Sequence, residues 1–189
     1  MKIYTKVGDT GETTFYTGEH VKKCDCRIEA LGAVDELNSV IGLVSSTIVG
    51  DNAIHKEIKQ MLERLQHDLF TVGAEVAMMT GNDASRNLPK ITEQHVRDLE
   101  LMIDDLQSKL TEQRSFILPG GTQLSAWLHF NRTVARRVER HIVGLCEKVT
   151  VNPELLKYLN RLSDLLYVLA RYANKEVLKE QQPIYKYLG

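Results

Sequence analysis

A run of arginines is the most distinctive chemical feature of this 189-residue sequence. Arg132, Arg136 and Arg140 follow one another at intervals of four, with Arg137 and Glu139 between them. On a helix this spacing places the three arginines in one stripe, where like charges repel unless an anion neutralises them. Because the arginine fork grips phosphate or carboxylate with two hydrogen bonds, the stripe indicates an anion site. A solvated helix face is the alternative interpretation.

A second candidate site lies near the N-terminus, in the segment TKVGDTGETT at 5–14. Its two glycines let backbone N–H groups turn toward an anion, its threonines add hydroxyl donors, and Lys6 adds a positive charge. The spacing does not match a Walker A loop, which has Gly-Lys-Ser/Thr after the first glycine. The segment is therefore either a plain hairpin or coil, or a cradle for phosphate.

Three smaller patches could contact a ligand or pack within the protein. Asn160 and Asp164 share one face of an otherwise aliphatic helix, and this face contacts either a ligand, or water or a partner helix. Asp35 and Asn38 interrupt another apolar pattern, and Asp35 could be the acid that one of the arginines needs. The apolar segment 116–118 precedes a Pro-Gly-Gly turn, and such a loop packs into a core more often than it covers a ligand.

Composition and missing motifs exclude several classes of function. The 24 basic and 25 acidic residues give a net charge of −1, which argues against a protein that coats nucleic acid or an anionic membrane. No apolar run has the length of a signal peptide or a membrane span, so a soluble cytoplasmic protein is expected. The three cysteines offer no zinc set and are expected to be reduced thiols. The sequence also lacks the di-iron Glu-x-x-His pattern and the GxGxxG, HExxH and GxSxG motifs.

Helical periodicity predicts the elements that position these residues. Apolar residues recur at three- and four-residue spacing in five stretches, each bounded by prolines, glycines or capping residues. Residues 1–26 have no such period and form an irregular arm, and no linker or repeat divides the chain. The sequence thus predicts an all-α fold, a single five-helix bundle. The predicted helices span about 27–46, 52–79, 92–110, the residues after Gly121 up to 148, and 153–180.

Four ordered segments make the sequence similar to one known family over nearly its whole length. The sequence resembles the PduO-type ATP:cob(I)alamin adenosyltransferases. Region 50–112 carries little diagnostic information, and Phe130-Asn131 stands where small residues are also common. The segments that carry the resemblance are TKVGDTGETT at 5–14, RIEALGAVDELNS at 27–39, FILPGGTQLSAWLHFNRTVARRVER at 116–140 and NRLSDLLYVLARYAN at 160–174.

The resemblance implies both an architecture and a reaction. A five-helix bundle with an irregular N-terminal nucleotide-binding arm would assemble as a homotrimer, with each active site between two subunits. The enzyme would transfer the 5′-deoxyadenosyl group of ATP to reduced cob(I)alamin and release triphosphate. The resemblance implies one domain over 1–189, divided into the phosphate-binding arm at 1–26, the helical bundle at 27–180 and a C-terminal tail at 181–189.

The same resemblance implies partners and cofactors. ATP with Mg²⁺ and cob(I)alamin or cob(II)alamin would bind as substrates. A cobalamin-reducing flavoprotein would supply electrons, and an adenosylcobalamin-dependent enzyme would use the product. Neither a nucleic acid nor a membrane is expected as a partner.

Site residues are also implied by the resemblance. Arg136 and Arg140 would act on the phosphates during catalysis, and Glu139 could contribute to Mg²⁺, which is held mostly through ATP phosphates. Two subunits would share the ATP pocket. One would contribute Thr5, Lys6, Val7, Gly8, Thr13, Thr14 and Lys23, and its neighbour Arg136, Arg137, Val138, Glu139, Arg140 and Asn160.

The corrinoid side of the implied site involves three residues. Asp35 and Arg132 match residues that pair across the subunit interface beside the corrinoid. Phe116 matches the catalytic residue that displaces the lower axial base of cobalamin. Two other classes remain open: a nucleotide sensor, in which the Phe116 loop has no purpose, and a structural trimer, which needs no arginine cluster.

Overall fold

Five α-helices account for most of the protein, as the periodicity predicts. The computed structural model describes residues 2–4, 6–15, 18–79 and 89–175. The observed helix ends agree with the predicted ones to within a few residues, except that the last helix ends at Asn174, where the prediction extends to about 180. The stretch 176–180, predicted to continue the last helix, and the predicted tail 181–189 lie outside the described residues. The helices are α1 (Cys26–Ser46), α2 (Ala53–Ala77), α3 (Glu93–Ser108), α4 (Gln123–Leu145) and α5 (Pro153–Asn174).

Side chains that cap the free backbone N–H groups fix the starts of four helices. Asp25, Asn52 and Thr122 each accept a hydrogen bond from the first turn of the helix that follows. At α5, the Asn152 side chain accepts a hydrogen bond from the Glu154 N–H. Pro153 is the first residue of the helix, as the sequence predicts. These starts are local consequences of the sequence.

The core is aliphatic and is built around the packed pair α4 and α5. Helix α4 packs between α1 and α5, while α2 packs on α1 and α3 packs on α5. Leu37, Leu128 and Leu162 are among the fully buried side chains that join these layers. The hydroxyl of buried Tyr158 donates to Asp68 Oδ2 at 3.0 Å, and burial raises the pKa of that tyrosine well above its usual value. Within the described residues, no helix combines the length and the apolar character needed to cross a bilayer.

The arm before α1 is built from a turn and a small hairpin. A 3₁₀ turn (Val7–Thr10) leads into β1 (Glu12–Thr14), which pairs antiparallel with β2 (His20–Lys22). Arg27 at the start of α1 clamps this arm: its guanidinium binds Glu19 at 2.9 Å and stacks over the Phe15 ring at 4.9 Å. The predicted irregular arm is therefore held to the bundle mainly through one arginine.

Candidate active site

Two of the three arginines of the predicted stripe lie on the outer surface of α4, and the third, Arg132, is half-buried. Arg136 and Arg140 are exposed, whereas Val134 and Val138 on the same helix are buried in the core. Arg140 Nη1 donates to the backbone carbonyl of Arg136 at 3.0 Å. The side chain of Val138 is fully buried, so in one chain it does not reach the outer surface of α4.

Arg137 faces α1 and pairs there with an acid. Its guanidinium donates to the carboxylate of Glu36, while Asp35 has no ion-pair partner among the described residues of the chain. Within one chain, the acid that supports an α4 arginine is therefore Glu36 and not Asp35. A cavity of about 360 Å³ opens beside this pair, lined by Ile28, Glu29, Gly32, Ala33, Glu36, Arg137 and His141.

Glu139 and Asn160 connect the arginine stripe to α5. Asn160 Nδ2 donates to Glu139 Oε1 at 3.0 Å, and Asn160 Oδ1 accepts from Arg161 at 2.8 Å. No group of three or more His, Cys, Asp or Glu side chains converges as a metal cage in the described part of the chain. Mg²⁺ keeps several of its waters and needs only one or two protein carboxylates when phosphates also bind it. The single carboxylate of Glu139 beside the arginines fits an Mg²⁺ ion of this kind, carried mainly by ATP phosphates.

The arm brings together part of the predicted phosphate cradle. Lys6 has a left-handed backbone with φ of 63°, which is uncommon for a residue with a side chain. The Lys23 ammonium lies against Gly8, where an added Cβ would come within 2.9 Å of Nζ. Val7 is 60% exposed, and the Thr14 hydroxyl pairs with His20 Nδ1 at 3.2 Å. Thr5, the first residue of the predicted cradle, lies outside the described residues.

A larger, mainly apolar cavity of about 670 Å³ lies between the arm, α1 and α2. Thr13 and Lys23 border it from the arm, and Asp35 borders it from α1. Four of its lining residues fall in region 50–112, which carries little diagnostic information: Leu69, Phe70, Gly73 and Ala74. The Phe70 ring is 73% exposed on α2, which only the structure reveals. The lining residues are Thr13, Lys23, Ile28, Leu31, Gly32, Val34, Asp35, Asn38, Leu69, Phe70, Gly73 and Ala74.

Arg132 is half-buried on α4, and one of its hydrogen-bond donors lacks an acceptor among the described residues. Its Nε is buried and finds no hydrogen-bond partner among the described residues. A buried donor without a partner costs free energy, so this position is suited to an acceptor that the described chain does not supply.

Phe116 lies on the segment between α3 and α4 and points into solvent. Its side chain is 77% exposed and that of Leu118 is 46% exposed, while Ile117 is half-buried. The expectation that this apolar segment packs into the core is therefore wrong for Phe116 within one chain. The exposed side chains of Phe116 and Leu118 leave apolar surface available for a contact with a ligand or another chain.

The arm and the Phe116 segment lie at opposite ends of α4. At the C-terminal end, Lys148 Nζ contacts Cys26 Sγ at 3.5 Å, next to the arm. At the N-terminal end, the Phe116 segment leads directly into Thr122, which caps the helix. A helix of 23 residues is about 34 Å long. One chain therefore holds the predicted site residues in two separate groups.

Comparison with known proteins agrees with these observations. Residues 3–173 match the family model described as cobalamin adenosyltransferase. The chain is 40% identical over 174 residues to the corrinoid adenosyltransferase PduO of Salmonella typhimurium, covering 90% of this chain and 49% of that protein. It is 39% identical over 174 residues to the corrinoid adenosyltransferase of Bacillus subtilis, covering 92% of this chain and 87% of that protein. The chain thus spans about half the length of the Salmonella relative.

The fold is shared with solved structures of the same kind. A variant PduO-type ATP:corrinoid adenosyltransferase from Lactobacillus reuteri, complexed with cobalamin and ATP, has a TM-score of 0.88 and 39% identity, with 97% of each chain covered. A second variant from that organism, complexed with ATP, has the same TM-score at 38% identity, covering 97% of this chain and all of that one. The family model, the relatives and the fold together establish that this chain belongs to the cobalamin adenosyltransferase family.

Proposed function

We propose that the chain carries out the reaction for which its relatives are named: transfer of the 5′-deoxyadenosyl group of ATP to reduced cobalamin. The Co(I) centre attacks the 5′ carbon of ATP, a Co–C bond forms, the C5′–O bond breaks, and triphosphate leaves. Cobalt supplies the electron pair and is the nucleophile, so no serine, cysteine or lysine is needed in that role. The protein contributes binding, alignment and charge stabilisation.

The basic side chains act on the leaving triphosphate. Negative charge grows on it as the C5′–O bond breaks, and fixed cations next to it lower the barrier. Arg136 and Arg140 are exposed on a helix whose opposite face is packed, so the helix backbone that carries them is fixed before ATP arrives. Lys6 and Lys23 supply charge from the arm. Glu139 would hold Mg²⁺ that enters with ATP, and this ion would neutralise part of the phosphate charge.

We place the active site between two copies of the chain, in a homotrimer. The trimer is what the family resemblance implies, and three features support a site shared by two copies. The arm and the Phe116 segment lie at opposite ends of α4 in one chain, so one copy does not complete the site. Asp35 borders the apolar cavity without an ion-pair partner in the described chain, and Arg132 carries a buried Nε without an acceptor there. Pairing Asp35 with Arg132 of a neighbour would give the carboxylate an ion-pair partner and the buried Nε an acceptor.

The observation that carries the proposal is the exposed ring of Phe116. A protein that only senses a nucleotide has no use for a solvent-facing aromatic side chain on a tethered apolar segment. Beneath a corrin ring, that side chain would exclude water and the lower axial base from cobalt, which keeps the metal four-coordinate. A four-coordinate Co(II) is easier to reduce to the Co(I) nucleophile.

The reaction also places the chain between two other activities. Because Co(I) has to be generated by one-electron reduction, we propose that a cobalamin-reducing flavoprotein supplies the electron. An enzyme that depends on adenosylcobalamin then takes the product. The unit that performs this work is the single domain 1–189, with the arm at 1–26 as its nucleotide-binding part.

The test is anaerobic incubation of the purified chain with ATP, Mg²⁺ and chemically reduced cobalamin. We expect light-sensitive adenosylcobalamin to form together with one triphosphate per product. The matched control is Arg97→Ala, which removes an exposed α3 arginine paired with Glu93, far from the site. ATP binding without product would reject adenosyl transfer in favour of a nucleotide sensor.

A further inference from the structure

Three side chains of α5 hold the segment that carries Phe116. Tyr167, Arg171 and Asn174 are spaced four and three residues apart, so they lie along one face of the helix. The Tyr167 hydroxyl donates to Gln113 Oε1 at 2.7 Å, and Arg171 Nη2 donates to the Thr111 carbonyl at 2.9 Å. These contacts fix the first half of the segment between α3 and α4.

Asn174 fixes the second half. Its Nδ2 donates to the Gly120 carbonyl at 3.0 Å, and its Oδ1 accepts from the Thr122 backbone N–H at 2.9 Å and from the Thr122 hydroxyl at 3.0 Å. The side chain is 7% exposed, so these bonds are sheltered from water. One amide therefore clamps both sides of the turn at Gly121.

The turn itself fits only glycine. Gly121 has φ of 107°, a conformation that side-chain-bearing residues rarely adopt. A Cβ at this position would lie 2.3 Å from Asn174 Nδ2, far inside van der Waals contact. The glycine and the asparagine thus form one unit, in which the absent side chain of Gly121 makes room for the amide of Asn174.

We propose that Asn174 is a positioning residue for the reaction, because it sets where Phe116 stands relative to the corrinoid. The inference rests on the proposed function. Phe116 is 77% exposed and receives little support from its own packing, so its position depends on how the two ends of the segment are tied. Arg171 and Tyr167 tie one end and Asn174 ties the other. None of these three residues was assigned a role from the sequence.

The experiment compares Asn174→Ala with Asn152→Ala. Asn152 makes matching bonds at the other end of α5: its Nδ2 donates to the Ile91 carbonyl at 2.8 Å and its Oδ1 accepts from the Glu154 N–H at 3.0 Å. Both variants lose one amide clamp, but only Asn174→Ala loosens the Phe116 segment. The readouts are the absorption spectrum of cob(II)alamin bound with ATP, the affinity for ATP, turnover and the melting temperature.

We expect Asn174→Ala to bind ATP as the wild type does and to form much less four-coordinate cob(II)alamin. Its turnover from cob(II)alamin should fall by about tenfold or more, since small misplacements near reacting atoms have large kinetic effects. Preformed cob(I)alamin should restore most of the rate. Asn152→Ala should lower the melting temperature and leave the spectrum unchanged.

Two results would overturn the inference. One is a wild-type amount of four-coordinate cob(II)alamin in Asn174→Ala, and the other is an equal spectral loss in Asn152→Ala. If Asn174→Ala does not fold, Gly121→Ala tests the same turn, and an unchanged spectrum there also counts against it. A wild-type chain that forms neither the four-coordinate species nor adenosylcobalamin overturns the proposed function itself, which separates the two failures.

Discussion

The arm and the outer face of α4 both carry basic residues, but they are built in different ways. On α4, the arginines stand on a helix whose other side is packed against α1 and α5. In the arm, Phe15 is the only buried side chain among the described residues, and Arg27 provides the main clamp to the bundle. The α4 arginines are therefore carried by a helix that is packed into the core, whereas the basic residues of the arm are held by a few polar contacts and one cation–π contact.

Under the proposed function, this difference would separate two tasks in binding ATP. The α4 arginines need little ordering when the ligand arrives, because burial of the opposite face already fixes their helix. The arm has few buried contacts, and elements of that kind open locally at low cost. If the arm binds ATP as we propose, part of the binding free energy would be used to order it. Changes on α4 should affect the chemical step, and changes in the arm should affect ATP affinity.

The largest effect is expected on the α4 side. Arg136→Ala or Arg140→Ala should lower kcat by about 10²- to 10³-fold, because each removes a fixed cation from the leaving triphosphate. Both side chains are exposed, so the helical circular dichroism and the melting temperature should stay near those of the wild type. Wild-type turnover at saturating ATP in either variant would remove that residue from the phosphate site.

Phe116→Ala should come next and should leave both phosphate-binding regions intact. ATP affinity should be unchanged, while activity from cob(II)alamin falls more than activity from preformed cob(I)alamin. The exposed ring contributes little to folding, so the melting temperature should change by less than for a buried phenylalanine, whose loss costs about 3–5 kcal/mol. Equal losses in the two assays would show that the ring does not act on cobalt.

The pairing of Asp35 with Arg132 of a neighbour is tested by a double-mutant cycle. Asp35→Asn and Arg132→Ala should each reduce activity and weaken assembly, measured by sedimentation. The double variant should lose less than the sum of the two, with a coupling of about 0.5–3 kcal/mol for residues in contact. Glu36→Gln is the matched control, since that acid pairs with Arg137 in the same chain. Additive effects would mean that Asp35 and Arg132 do not touch.

A smaller effect is expected from loosening the arm. Arg27→Ala removes the ion pair with Glu19 and the contact with the Phe15 ring, so the arm should lose its fixed position. We expect a KM for ATP that is raised severalfold and a nearly unchanged kcat, because the α4 arginines are untouched. Isothermal titration with a non-hydrolysable ATP analogue measures the affinity directly. A fall in kcat at constant KM would contradict the division of tasks between the two regions.

The smallest effect concerns acid stability at the junction of arm and bundle. Hydrogen bonds from Arg27 lower the pKa of Asp25 from 3.8 to about 2. The carboxylate is thus favoured in the folded state, and its stabilising contribution is present above pH 3.8 and lost as the pH falls toward 2. Asp25→Asn, which keeps a capping oxygen, should be less stable than the wild type near neutral pH. This difference in stability should disappear as the pH falls from 3.8 toward 2. Melting temperatures across this pH range measure the difference, and exposed Asp51→Asn should show no such difference.

Much of the fold and part of the site could be predicted from residue order. Asn152 and Pro153 predict the start of α5 because capping is local, and the arginine spacing predicts an outward stripe because helical geometry is fixed. Phe116 was harder to place. An apolar segment before a turn is compatible with burial or exposure, and only the packing of α4 against α5 determines which occurs. Phe70 was missed because its neighbours on α2 follow an ordinary core pattern.

The sequence by itself therefore determined the five helices, the arginine stripe and the family, since each depends on short-range spacing or on ordered motifs. Tertiary structure alone decided that Glu36 pairs with Arg137, that Lys23 lies on Gly8, and that Asn174 clamps the turn before α4. These contacts join residues that are 15 to 101 positions apart or that meet around a bend. Their formation depends on how whole helices and the arm pack, and residue spacing along one element carries no record of that packing.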